Sequence, residues 1–579
     1  MHQNSFVNKV LIPGSAFGPI LYSDIGISFW GGIDPLTGHI IDSYHPLFGQ
    51  CVRDKILVIP SGRGSCTGSC VLLELIMNGC APAGLIFSQN EDILPLGVII
   101  AEEIFNRSLP VVKVNQDCFN RLKEHPYLRI ENNAVSSSNE NGDVTEDLTI
   151  SLFCLSSSHL NLSENDSNIL NGSHGLAAQM AMKIIVRMAK LYDAPNLIDV
   201  TQAHIDACIY IGPWGLKFIQ NLCEFGAKIR IPTTLNAISI DRSNWQQQGL
   251  AKEFGEPAQQ LADAYIQMGA KPSYTCAPYL LNSAPSLGEK IAWAESNAVV
   301  YANSVLGART MKYPDYLDVC VSLTGRAPNS GCYRDEMRCP QLVINVSSIP
   351  KPDDSFFPLL GYHIGKLSPN TIPYIKGIGH INPSNDDLKS FGAAFATTSA
   401  APIFHIDDLT PEANLYSELI DELQQININS KDLRKSWLDL NSAMHDRIDL
   451  IAIGNPHVSL GELNMIAEMC QTLMGQRTRK IIITCGRDVY SKADGEGFVE
   501  IIKKFGAEFV LDTCWCMLNE PIIPPDAQII MTNSGKYAHY APALTGRSMR
   551  FGSLDDCLKA ACGFKIDRAP PLWLGSSEF

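Results

Sequence analysis

The chain has 579 residues, 45% of them hydrophobic, and a formal net charge of −15 at pH 7. At roughly 100–200 residues per folding unit, that length holds about three to five units with sizeable cores. The acidic balance argues against nucleic acid and anionic membranes as bulk partners, both of which need basic surface; it leaves room for a small anion held by a few local donors.

The opening "MHQNSFVNKV" lacks a charged segment followed by an apolar one, and no apolar run approaches the roughly 18 residues of a membrane span. The expectation is a cytoplasmic chain whose 18 cysteines are mostly reduced and buried, a few of them serving as metal ligands.

Residues 1–130 read as a β/α unit. Strand "KILVI" (55–59), helix "CVLLELIMNG" (70–79) and strand "AGLIFS" (83–88) follow one another, and helix "GVIIAEEIFN" leads into "LPVVKV". The first strand and helix are separated by "PSGRGSCTGS", a loop poor in side chains. Backbone N–H groups exposed at a helix start bind anions. No Lys-Ser/Thr pair follows the glycines, which disfavours ATP chemistry, and a purely structural turn is the competing reading. Residues 131–168 are rich in Ser, Asn, Asp and Glu and read as a solvated linker with one short strand.

Residues 169–579 form the larger part. "GLAAQMAMKIIVRMAKLYDA" has helical spacing of its apolar positions. "DACIYI" reads as a strand, "GLKFIQNLCEFG" as a helix and "AKIRIP" as a strand. Towards the end the βα alternation is plain: strands "DLIAIG" (449–454), "KIIIT" (480–484), "EFVLDT" (508–513) and "AQIIMTNS" (527–534) predict a parallel sheet.

Ligands of such sheets bind beyond the carboxyl ends of the strands. Those ends carry Asn455, Pro456 and His457, then Cys485, then Cys514 and Cys516, then Asn533, Ser534 and Lys536. If the second and third strands are neighbours, Cys485 and Cys514 start about 5 Å apart. Two such thiolates suit a small iron–sulfur cluster, with Cys276 in "YTCAPYL" as a third. None of the three lies in a CxxC pair, so buried core cysteines are the competing reading. Cys516 shares a strand face with Cys514 and is readily confused with it. His457 reads as a hydrogen-bonding group rather than a ligand.

Several strings resemble a known family. "ISFWGGIDPLTGHIIDSYHPLFGQ" with "IPSGRGSCTGS" is similar to the small swivelling domain of the aconitase X family. "NGSHG", "PTTLNAISIDRSNW", "TCAPYL", "WAESNAVVYANSVLGART", "LTGRAP" and "DTC…MTNSGKYAHY" are similar to its large catalytic part. The resemblance implies an N-terminal swivelling β/α domain followed by an aconitase-like, multi-domain α/β catalytic part with parallel sheets. It further implies a hydro-lyase using an iron–sulfur cluster as Lewis acid.

In this resemblance Ser65 is the catalytic base, and Arg63, Gly64 and Cys66 bind the substrate anion across a cleft from the cluster. Asn236, Glu295, Ser296, Asn303 and Lys536 line the pocket. The two-subunit branch of the family, which dehydrates mevalonate 5-phosphate, has a cysteine where "IGNPH" has Asn455. Asn is a poor iron ligand beside thiolate, so Cys485 is taken as the substitute, which gives Cys276, Cys485 and Cys514 as the ligand set; resemblance to the single-chain branch implies a [2Fe–2S] cluster. The fused layout, needing no second subunit, is similar to the branch that converts cis-3-hydroxy-L-proline, a small anionic amino acid, to Δ1-pyrroline-2-carboxylate. A reading of a different class, an iron-sensing RNA-binding protein, sits poorly with the acidic charge.

Overall fold

The structure is a computed structural model and describes residues 8–42, 45–154, 160–349, 351–473 and 478–575. The chain divides into two units. The first holds residues 1–233, 267–269 and 313–330; the second holds 234–266, 270–312 and 331–579.

The first unit is built on a nine-stranded sheet. At its centre Ala16–Tyr22, Ile56–Ile59, Gly84–Phe87 and Val111–Lys113 run parallel. Ile56–Ile59 and Gly84–Phe87 are buried at every position, as strands covered on both faces must be. Helix Gly68–Met77 follows the glycine loop and packs on helix Leu94–Phe105 at Gly97. A Cβ at Gly97 would stand 2.4 Å from the Ser69 carbonyl oxygen. Gly97→Ala is therefore expected to cost about 1–3 kcal/mol through backbone displacement, measured as a lowered denaturant midpoint with unchanged m-value.

The stretch read as a polar linker is corrected by the structure. Tyr127–Glu131, Ala134–Ser138 and Val144–Ser151 are antiparallel strands that extend the sheet from Ala16–Tyr22. Val135, Leu148, Ile150 and Leu152 enter the core, and alternation leaves Asp147, Thr149 and Ser151 outside. The polar residues of Val144–Ser151 belong to the outer face of a hairpin. Ser137, turned inward, is satisfied by Thr145 Oγ1 at 2.6 Å and by the Leu148 N–H at 3.0 Å. Helix Glu164–Leu170 follows, closed by a Ser163–Asp166 capping box. Residues 155–159 of the same stretch lie outside the described residues. Two strand expectations also shift: the ladder forms at Ala203–Ile205 and Thr233–Leu235 rather than at 206–211 and 227–232.

The second unit contains two all-parallel sheets, as the βα alternation predicts. One has Leu342–Val346 between Pro373–Lys376 and Gln425–Ile428, with His405–Ile406 beyond. The other runs in the order Ala507–Leu511, Lys480–Cys485, Leu450–Ile453, Ile529–Thr532, Ser548–Phe551. The chain leaves Leu450–Ile453 towards one edge and returns on its other side at Ile529–Thr532. That reversal is a topological switch point, where α/β sheets open a crevice at the strand ends. Asn455 and Lys536 follow those two strands. Among the described residues no helix is long and apolar enough to cross a membrane.

Candidate active site

Three thiols meet beyond the strand ends of the second unit, and they are Cys276, Cys514 and Cys516. Cys276 precedes the short helix Pro278–Leu280, and Cys514 caps the turn Trp515–Met517. All three are buried. Cys514 accepts S–H bonds from Cys276 and Cys516, and these hold its thiol well below the usual range. Burial opposes the shift, while the Lys536 ammonium and the Cys516 N–H support it. The two donors move the other way. Cys276 is pushed well up by burial and by its bond to Cys514, and Cys516 chiefly by its bond to Cys514. The three sulfurs thus form one hydrogen-bonded group with Cys514 at its centre.

The surroundings hold these sulfurs in place. His457 donates its backbone N–H to Cys276 Sγ at 3.3 Å. Its ring spans the two loops, with Nδ1 3.3 Å from Thr275 Oγ1 and Nε2 2.8 Å from the Thr513 carbonyl. Burial lowers its pKa, so Nε2 donates from a neutral ring. Asn455 Nδ2 donates to Cys516 Sγ at 3.2 Å. Lys536 Nζ pairs with Glu295 Oε1 at 2.7 Å. The other Glu295 oxygen caps helix Ser296–Tyr301 at the Ala298 N–H, 2.9 Å away, and accepts from Asn297. Burial alone lowers the Lys536 pKa, but Glu295 and the three sulfurs raise it well above the ordinary value. A cation is therefore fixed beside the three sulfurs.

Three buried polar atoms around the sulfurs have no hydrogen-bond partner: Asn455 Oδ1, Thr513 Oγ1 and Tyr537 OH. Native interiors rarely leave such atoms orphaned, which marks the place as one for a polar or metal-containing group. Among the described residues no three His, Cys, Asp or Glu side chains already stand in a metal-ligand geometry. The donor set nonetheless fits an iron–sulfur cluster, since soft thiolates are its ligands.

Cys485 is not among these thiols, which corrects the ligand set read from the sequence. Lys480–Cys485 and Ala507–Leu511 are neighbours, with Cys485 opposite Leu511. The Cys485 side chain, however, lies on the face of Ile481 and Ile483, in the apolar core with Val489, Ala493 and Ile502. Its charged neighbours are Asp512, Asp241 and Arg487. Asn303 is likewise removed from the pocket. Its Nδ2 donates to the Thr310 and Pro402 carbonyls at 3.0 and 2.9 Å, and its Oδ1 accepts from Thr310 N and Arg338 Nη1 at 3.0 and 3.2 Å. An amide side chain has no further capacity to offer a substrate. Asn236 is buried, with Oδ1 accepting from the Ala237 N–H at 2.7 Å, and Ser296 is half-buried at the first position of the helix Glu295 caps.

In the first unit the glycine loop is shaped from within. Gly64 adopts φ +86°, open to glycine at little cost. The Gly62 N–H donates to the Glu91 carboxylate and the Arg63 N–H to the Ile27 carbonyl. The exposed Arg63 guanidinium is held by Asp42 at 2.8 Å. Cys66 is buried, and its carbonyl accepts from the Asp315 N–H at 3.2 Å. Ser65 Oγ donates to Thr67 Oγ1 at 3.0 Å and accepts from the Thr67 N–H at 3.3 Å.

Comparison with known proteins bears on both units. The chain matches the family models described as Aconitase X swivel domain (residues 5–137), first domain (159–336), second domain (340–438) and third domain (448–563). It is 48% identical over 98% of its length, and 96% of the relative's, to a cis-3-hydroxy-L-proline dehydratase of Hypocrea jecorina. It is 46% identical to the Pseudomonas aeruginosa protein of the same name, over 99% of each. The crystal structure of Thermococcus kodakaraensis aconitase X in its holo-form superposes with a TM-score of 0.63 at 33% identity, covering 69% of this chain and 100% of that one. Glycine loop, thiol group and domain order thus stand within one matched frame, and the chain belongs to the aconitase X family.

Proposed function

We propose that the chain is a hydro-lyase that dehydrates cis-3-hydroxy-L-proline to Δ1-pyrroline-2-carboxylate. The observation that carries this reading is the match of nearly the whole chain to two dehydratases of that substrate. The reaction removes a proton from C2 and a hydroxyl from C3. An enamine results, which tautomerises to the cyclic imine.

An iron–sulfur cluster on Cys276, Cys514 and Cys516, assigned here as [2Fe–2S], supplies Lewis acidity towards the departing hydroxyl when bound. The chain's own residues do the rest. Lys536, fixed by Glu295, adds to the two S–H bonds that lower the Cys514 pKa and places positive charge where a carboxylate would bind. Ser65 is the proposed base at C2, with the Thr67 N–H directed at its oxygen. Arg63 adds positive charge beside it. A reducing, cytoplasmic setting accords with the free thiols of the described cysteines.

The test is turnover by anaerobically prepared, iron- and sulfide-loaded protein on two substrates. We expect kcat/KM for cis-3-hydroxy-L-proline to exceed that for mevalonate 5-phosphate by about 100-fold or more, the discrimination expected when a site's polar groups match one substrate only. Consumption of the phosphate ester alone would overturn the substrate assignment.

A further inference from the structure

We propose that Arg487, held between Asp241 and Asp512, is a positioning residue for the turn that carries Cys514 and Cys516, fixing the arrangement in which these sulfurs meet Cys276 to hold an iron–sulfur cluster. This rests on the reading of Cys276, Cys514 and Cys516 as the ligands and adds the group that sets them. All of these residues lie in the second unit. Arg487 opens helix Arg487–Gly495, two residues past the end of strand Lys480–Cys485. The strand end read from the sequence as supplying a ligand thus supplies a cation instead. Asp241 stands in the string "SIDRSNW".

The bonds converge on the stretch that leads to Cys514. Arg487 Nε and Nη2 both donate to Asp512 Oδ2, at 2.9 and 2.6 Å, and Nη2 also reaches Asp241 Oδ1 at 3.2 Å. Asp241 accepts at both oxygens. Oδ1 takes the Ser243 N–H at 3.0 Å, while Oδ2 takes Asn244 Nδ2 at 3.1 Å and the Leu511 N–H at 3.2 Å. The Ile238 N–H donates to the Asp512 carbonyl at 2.8 Å, and Ile238 pairs with Thr513 in a parallel bridge. Thr513 in turn gives its carbonyl to His457 Nε2 at 2.8 Å. Leu511, Asp512 and Thr513 are therefore each fastened by residues from other segments, and Cys514 follows directly.

Asp512 has φ +65°, a left-handed conformation that an L residue keeps only where its surroundings impose it. There the chain leaves strand Ala507–Leu511 and heads into the turn Trp515–Met517. The Asp241 and Asp512 side chains are both 0% exposed, and that of Arg487 is 38% exposed. Two buried carboxylates repel one another unless a cation stands between them. Without Arg487 they would draw apart, and the backbone from Leu511 to Thr513 would move with them. The other two sulfurs would not follow. Cys276 Sγ is held by the His457 N–H at 3.3 Å and Cys516 Sγ by Asn455 Nδ2 at 3.2 Å, so a displaced turn carries Cys514 away from Cys276. Groups that orient metal ligands without touching the metal change metal affinity about 10–100-fold.

The experiment follows iron loss from the loaded protein to a chelator, the EPR spectrum after dithionite reduction and the denaturant midpoint, for Arg487→Met, Arg487→Lys, Asp512→Asn, Asp512→Gly and Cys514→Ala. Arg487→Met and Asp512→Gly are expected to lose iron about tenfold faster or more and to show shifted EPR g values. Arg487→Lys, whose ammonium can still stand between the carboxylates, should recover most of the difference. Asp512→Asn keeps an acceptor and tolerates the left-handed conformation, so it should stay within about threefold of wild type. Folded Arg487→Met and Asp512→Gly with wild-type iron retention and spectrum, beside a Cys514→Ala that loses iron, would overturn the positioning role. Faster loss with an unchanged spectrum would overturn it too, since a merely destabilised fold gives that result. Retention of iron by Cys514→Ala would overturn the ligand assignment instead. If Arg487→Met does not fold, the Asp512 pair decides alone. Gly leaves the backbone conformation open and Asn keeps the acceptor, so the two differ in what Arg487 can hold.

Discussion

Cys514→Ala is expected to abolish iron binding and dehydratase activity, whereas Cys485→Ala should leave both within about threefold of wild type. Cys514 is the sulfur on which the other two converge, and their bonds hold its pKa well below the usual range. Only a thiolate binds iron well. Loss of a Lewis acid removes several kcal/mol of leaving-group stabilisation; at about 1.4 kcal/mol per factor of ten, turnover should fall by about 1,000-fold or more. Cys485 instead fills space between Ile483 and the helices over the sheet. Truncating it costs roughly 1 kcal/mol of packing and touches no ligand. Cys516→Ala should follow Cys514→Ala in losing iron. The measurements are iron and sulfide content and turnover of each purified variant. Retention of iron by Cys516→Ala together with its loss in Cys485→Ala would return Cys485 to the ligand set.

The confusion between these cysteines shows how far the sequence could be read. The parallel sheet was legible because "LIAI" and "KIIIT" are unbroken apolar runs between helical segments, and their strands pair as neighbours. Neighbouring strands do not make neighbouring side chains, however. In "KIIITC" the period of two puts Cys485 on the face of Ile481 and Ile483, and that parity was available from the residues themselves. Cys514 lies three positions past the residue that pairs with Cys485, after the strand has ended and Asp512 has turned to φ +65°. The start of the turn Trp515–Met517 then keeps Cys514 and Cys516 in contact, which no local spacing rule predicts. The 134–151 hairpin was hidden by its polar outer face. Its inner positions Leu148, Ile150 and Leu152 alternate with the exposed Asp147, Thr149 and Ser151, while Ser136, Ser137 and Ser138 on the partner strand are buried. The bond from Ser69 to the Asp315 carbonyl had no sequence signal, because it depends on a long-range contact of the chain.

Lys536→Met is expected to lower both stability and turnover, and a second substitution should separate the two effects. The Lys536–Glu295 pair is 12% and 8% exposed at its side chains. Breaking a buried pair from one side leaves an uncompensated charge and costs roughly 3–5 kcal/mol. Neutralising both partners removes that charge. In Lys536→Met/Glu295→Gln the glutamine carbonyl can still accept from the Ala298 N–H that Glu295 caps, so most of the lost stability should return. Turnover should not return, because the cation beside Cys514 is gone from both variants. Charge aimed at a reacting centre is worth about 100-fold or more in rate when removed. The comparison needs denaturant midpoints and turnover for Lys536→Met, Glu295→Gln and the double variant. A double variant that regains activity along with stability would mean that Lys536 serves Glu295 alone, and that the thiolate at Cys514 is held by its two S–H donors without help from the cation.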